Sequence, residues 1–474
     1  MKKCAMLAAV ALSVISSQAM ADEIKVTPQD RTALSVAIYN NNLAVVKDTR
    51  NVNLKKGVND VAFSDVSTSI QPETALVQVD SATVLEQNYN YDMLSPSSIL
   101  DKYVGKKIQV ISTNEATGAE KTEEAVVLSN NGGVVLKIGN RIETGYKGRY
   151  VFPDIPGNLR DRPTLTLKMS VAIGGKRPVS LSYLTGAMSW RADYVAELND
   201  KEDSFALDSW VTLNNNSGVS YENANLQLVA GDVNRVTPPR YAAKALRMNT
   251  MQAVAMDSME SAGMAEEEFM DYHLYTLGRP TSIMSNQNKQ VSLLSSPKVF
   301  SEKIYKFNDL FNARSGMYGR ADETSPVNPS VVLKFKNDKD SGLGLPLPAG
   351  IFRVYKQDSN GKLLFVGEDS IRHTATDNEV KIKMGNAFDI NAKTKVVSFK
   401  KLSAKSYETE VEVTFKNSKK EKVEVEFYQS MPNGYKILSE SLASVPQSAN
   451  QVLWNVPIAA ESETVLKIHI FVAE

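Results

Sequence analysis

Six methionines, Met248, Met251, Met256, Met259, Met264 and Met270, crowd into 23 residues of a chain that has 16 in all. Thioether sulfur is a soft donor suited to Cu(I), so this run is a candidate metal site. Spacings of 3, 5, 3, 5 and 6 do not hold one helical face. The same residues therefore also read as a pliable partner-contact surface, a packed helix or biased composition. The three histidines, His273, His373 and His469, and the lone Cys4 leave no ligand set for structural zinc. His469 alternates with apolar residues and faces away from a core, and no nucleophile pairs with any histidine in the sequence. His-Glu-x-x-His, P-loop, dinucleotide and nucleophile-elbow motifs are all absent. Carboxylates are scattered or bunched as Glu266, Glu267 and Glu268, which reads as a solvated helix face rather than the acid pair of a glycosidase. Asp338, Asp340 and Gly342 begin like a calcium loop, but the glutamate such a loop needs downstream is missing, so a polar turn is expected. Tyr183 and Trp190 could form a sugar platform; beside a strand, a tryptophan reads better as a core plug. No catalytic residue is assigned and no cofactor is expected.

The elements that must position these residues are strands. Segments 33–46, 58–63 and 74–79 alternate as half-buried strands. Ser95 and Pro96 open a short helix, with Ser95 as cap, Pro96 in the first turn and Gly105 as the stop. Short strands between Lys107 and Phe152, with turns at 130–133 and 139–140, suit a small barrel or twisted sheet. Strands resume at 164–171, 178–184 and 190–198. Three of them, at 210–214, 331–337 and 411–417, run into asparagine and a polar turn, either as repeated domains or as ordinary sandwich edges. Segment 240–272, rich in Ala, Glu and Met and free of proline, breaks the pattern and is expected to be helical or mobile. Asp358-Ser359-Asn360-Gly361 is a hairpin turn. The last 79 residues hold six or seven strands, enough for one immunoglobulin-like sandwich.

The expected organisation is a signal peptide (1–21), an N-terminal β region (22–98), a small inserted β-barrel-like module (99–155), a central β domain in two parts (156–239 and 275–395) around a Met-rich insertion (240–274), and a C-terminal immunoglobulin-like sandwich (396–474). The fold class is mainly β with several sandwiches. Lys2 and Lys3, the apolar run 5–15 and Ala19-Met20-Ala21 carry the features of a secretory signal cleaved near Ala21-Asp22, which places the chain in the periplasm or outside the cell. With 54 basic and 54 acidic residues, the balance is neutral and speaks against nucleic acid. No later apolar run reaches the ~18 residues of a membrane helix. Alternation at 411–415 and 423–427 lasts about five residues, short of the ~10 of an outer-membrane strand. These features fit a non-catalytic cell-envelope protein that binds another protein or a surface polymer. The alternative is a periplasmic Cu(I)-binding or hydrolytic protein.

Five stretches, LSYLTGAMSWRADY (181–194), NANLQLVAGD (223–232), YTLGRP (275–280), LPLPAG (345–350) and LAVVKDTR (43–50), resemble the bacterial mucoidy inhibitor A-like family of exported proteins, a domain of unknown function. The resemblance implies a mostly β architecture and export, and brings no reaction or catalytic set. The chain departs from members with long coiled coils, since no heptad run occurs.

Overall fold

The computed structural model describes residues 23–156, 159–231, 233–234, 264–270, 272–314 and 324–473. The expected signal segment and Met248, Met251, Met256 and Met259 lie outside these. Among the described residues the architecture is mainly β, as the alternating pattern predicts, and no helix is long and apolar enough to cross a membrane.

Three apolar clusters organise the sheets. The largest is shared by a four-stranded sheet (Ile24–Val26, Gly57–Ser64, Thr164–Val171, Ala82–Asn90), an eight-stranded sheet that includes Arg31–Tyr39, Leu43–Leu54, Gly175–Thr185 and Tyr221–Ala230, and the first half of a ten-stranded sheet. The N-terminal strands and the central ones therefore share one core rather than forming separate bodies. A second cluster fills the C-terminal sandwich, whose strands begin at Ile390 rather than 396. Trp454 is its plug: fully buried, stacked 5.4 Å from Phe427, with its indole nitrogen donating to Glu440 at 2.9 Å.

The strand Gln287–Asn308 joins the two cores. It runs 22 residues, about 70 Å at ~3.3 Å per residue. Its first part pairs with Ser204–Asn215, and its last residues, Tyr305 to Asn308, pair in parallel with Val423–Ser430. Val291, Leu293 and Val299 enter the first core, and Tyr305 and Phe307 enter the second.

The inserted module has its own small core of Leu100, Tyr103, Val110, Val127 and Leu136. The helix Pro96–Lys102 leads into it, and Ser95 accepts from the Ser98 amide as the capping reading predicts. The module is an open five-stranded sheet, not the expected barrel. Its edge strands, Arg141–Thr144 and Arg149–Val151, are four and three residues long and pair only inward, leaving no ladder to close it.

A second correction concerns the described end of the Met-rich segment. Residues 264–270 and 272–276 are not helical: Ala265–Phe269 and Tyr272–Thr276 form a hairpin on the edge of the eight-stranded sheet. Strand pairing with Gln227 to Ala230 and the β-formers Tyr272, Tyr275 and Thr276 override a composition of good helix formers.

The three asparagine-ended strands share a device. Asn215, Asn337 and Asn417 are each at most 1% exposed. Asn215 Nδ2 donates to the carbonyls of Val219 and Ile283, and Asn417 Nδ2 to those of Glu421 and Ala459. Their Oδ1 atoms accept from the amides two residues on, Ser217 and Lys419. Asn337 does the same across a longer loop, donating to Leu345 and Ala375 and accepting from Gly344. At Asn215 and Asn417 the chain leaves one sheet for another, where backbone carbonyls lose their ladder partners. Asn417→Ala removes two donors and an acceptor there. The expected loss is about 2–4 kcal/mol of stability, read by urea unfolding; a loss under 0.5 would remove the asparagine from this role.

Candidate functional site

The strand Leu43–Leu54 sends Ala44, Val46, Val52 and Leu54 into the core on alternate positions, and Asp48 and Arg50 occupy the same register. Period-two geometry thus buries a charge pair inside an apolar row. Arg50 is 0% exposed; its guanidinium donates to Asp48 at 2.7 Å and to the carbonyls of Val26 and Ser64 at 3.1 and 2.7 Å, and lies 4.2 Å from the Phe63 ring. Arg31 approaches the same carboxylate with two bonds of 3.0 and 2.8 Å. Burial alone would push the Asp48 carboxyl up, but the hydrogen bonds and charges of Arg31 and Arg50 hold it below the usual aspartate value.

Arg31 of this triad also stands in the wall of a cleft of about 910 Å³. Its walls come from residues 25–34, 62–65, 159–164 and 218–223, with Ser285 at one end. Lys25 stands exposed at the rim. Arg160 is clamped by Glu23 with bonds of 2.6 and 2.7 Å, and Arg162 holds Asp65 at 2.8 Å with its side chain 60% exposed. The buried Nε of Arg160 has no hydrogen-bond partner. Asp161 and Glu222 add carboxylates, and among the described residues no aromatic side chain lines the cleft.

One wall rests on a buried polar cluster. Ser67 and Thr185 hydroxyls meet at 2.6 Å, Ser67 Oγ donates to the Ser217 carbonyl, and Ser217 Oγ donates to Asn215 at 2.7 Å. Gly218 follows with φ +82, and a Cβ there would sit 2.6 Å from Thr68, so the wall needs glycine twice over. Burial pushes the Tyr183 hydroxyl well above its usual range, which keeps it neutral beneath this cluster. The arrangement offers fixed donors and acceptors of both charges to a polar ligand.

The residues singled out from sequence lie elsewhere. Met264 is buried in the main core, and Met270 occupies the hairpin turn, 76% exposed. The five strand residues Ala265–Phe269 separate them, an advance of about 20 Å, so they cannot share one ion. Glu266 to Glu268 sit on the hairpin strand, where Glu266 meets His273 at 2.7 Å. His373 Nδ1 accepts from the Ala349 amide and His469 lies 3.7 Å from Glu408, so the three histidines stand on separate elements. Among the described residues no three His, Cys, Asp or Glu side chains are placed to hold a metal. Asp338 caps its turn by accepting from the Ser341 amide at 2.7 Å. Trp190 is 3% exposed and Tyr183 is equally buried, so the core reading of both holds.

Sequence reasoning missed Lys25, Arg31, Asp48, Arg50, Arg160 and Arg162. One local signal was available: Asp48 and Arg50 two apart within an apolar alternation. The partners of Arg160 and Arg162 lie 137 and 97 residues away, and nothing local marks them. Asp48→Asn leaves two guanidinium groups without their counter-charge, and about 3–5 kcal/mol of stability is expected to be lost in urea titrations at pH 7. Because the folded pKa is depressed, this contribution is present above about pH 4 and disappears as pH falls through the folded value. The variant should lack that part of the acid dependence; an unchanged midpoint at pH 7 would refute the role.

The family model described as "Domain of unknown function (DUF4139)" matches residues 179–473. No curated protein matches the chain. The matched region holds the ten-stranded sheet, the C-terminal sandwich and one wall of the cleft; Arg31, Asp48, Arg50, Arg160 and Arg162 precede it. Matched over more than half its length, the chain belongs to the family of the DUF4139 domain of unknown function.

Proposed function

We propose that this chain is an exported, non-catalytic cell-envelope protein, akin to the mucoidy inhibitor A-like proteins, that grips a segment of another envelope protein in the cleft. The observation that carries the reading is the cleft itself: about 910 Å³, built from segments distant in sequence, with Arg31 of the buried ionic triad in its wall. Its arginines are already bonded to carboxylates of their own chain, so it has little free charge for a small anion. Among the described residues its lining holds no aromatic ring. What it offers is a row of fixed donors and acceptors, suited to an extended polar polypeptide. Lys2, Lys3, the apolar run and Ala19-Met20-Ala21 support export. Cu(I) capture or hydrolysis has no comparable observation behind it.

Photo-crosslinking in living cells tests this directly. A benzoylphenylalanine at Gln29, on the cleft wall, should yield one discrete adduct with an envelope protein, and the same probe at Ser359 should not. Lys25→Glu with Glu222→Lys, both exposed on the cleft wall, should cut the adduct by at least about tenfold while the urea midpoint stays within error. Full-length, unprocessed protein in the cytosolic fraction, or an adduct indifferent to both reversals, would sink the proposal.

A further inference from the structure

The chain has three tryptophans, and two fill cores. The third, Trp210, is 42% exposed on the outward face of the ten-stranded sheet. It lies on Ser204–Asn215, an interior strand, so its surroundings are set by ladder register rather than by a loop. Asp193 is directly opposite on one side and Ser292 on the other. Thr212 and Asp208, two residues away in either direction, share its face.

The polar neighbours are held in place. Thr212 Oγ1 donates to Asp193 at 2.6 Å and receives Gln290 Nε2 at 3.2 Å. Arg353 donates to the other Asp193 oxygen at 3.0 Å, and Ser295 donates to Asp208 at 2.7 Å. Burial works against the Asp193 charge, but these bonds and the adjacent arginines keep the carboxyl below its usual range, an ionised acceptor. Arg191 and Arg353 are neutralised by Asp193 and Glu368. The face therefore combines an exposed indole, preorganised hydrogen-bonding groups on both sides and no net positive field.

We propose that this face binds an uncharged glycan strand, one pyranose ring stacking its C–H face on Trp210 and its hydroxyls bonding to the exposed Gln290 on one side and the exposed Asp208–Ser295 pair on the other, while buried Asp193 holds Thr212 in place. An open sheet face suits the length of a polymer rather than a single terminal sugar. Internal charge balance matches a neutral chain and gives an acidic one nothing to neutralise. The inference is independent of the cleft.

The mature protein is titrated with pentamers of β-1,4- and α-1,4-linked glucose, of mannose and of N-acetylglucosamine, with pentagalacturonate as the acidic comparison. Acrylamide quenching of tryptophan emission reports on Trp210, because Trp190 and Trp454 are buried. At least one neutral pentamer should bind and reduce quenching about twofold, and Trp210→Ala should weaken calorimetric affinity by at least about tenfold, the scale of a central aromatic contact. Gln290→Ala, at an exposed position, should weaken it more modestly, and Lys25→Glu should leave it unchanged, which separates this face from the cleft. Failure of all neutral pentamers, full affinity in Trp210→Ala with unchanged circular dichroism, or tighter binding of pentagalacturonate overturns the proposal.

Discussion

The guanidinium of Arg50 is the interaction on which the N-terminal half depends. It is wholly buried, and it reaches the carbonyl of Val26 on one strand and that of Ser64 on another while pairing with Asp48 on its own. Two of those strands belong to the four-stranded sheet and one to the eight-stranded sheet, so a single cation fixes how the two sheets meet. Desolvating such a charge is costly, and only the full set of partners makes it tolerable. The cleft depends on this arrangement, because Arg31, which lines it, is held where the sheets are pinned.

The same logic governs the sandwich ends. Wherever the chain leaves a sheet, carbonyls lose their partners, and without cysteine in the described residues no disulfide clamps the crossing. Buried asparagine supplies both donors and an acceptor from one short side chain, and it recurs at Asn215, Asn337 and Asn417. Seen this way, the recurrent strand-then-asparagine pattern has a physical cause, operating at Asn215 and Asn417 where the chain changes sheets and at Asn337 where it closes a long loop within one sheet.

What was legible in the sequence was local. The Ser95 cap, the hairpin at Asp358 to Gly361 and the alternating strands are decided by nearby residues, and they stand as read. The burial of Trp190 followed from its strand neighbours. The failures were non-local. Ala, Glu and Met around 264–270 favour a helix in isolation, yet an available sheet edge recruits them as a strand. A barrel was expected where strands proved too short to close. The candidate site was almost invisible, since Arg160 and Glu23 or Arg162 and Asp65 become neighbours only after the sheets assemble. Trp210 could be placed on a strand, but which face it takes depends on the register of both flanking strands.

The strand Gln287–Asn308 makes the central core and the C-terminal sandwich mechanically one piece. No linker separates them, so tension applied to the C-terminal strands passes into the central sheet as shear across hydrogen-bonded ladders, which give way together rather than one at a time. The molecule has no joint at that point. Its two ends keep a fixed stand-off, and anything held by the central half is carried at a set distance and angle from whatever the C-terminal half touches.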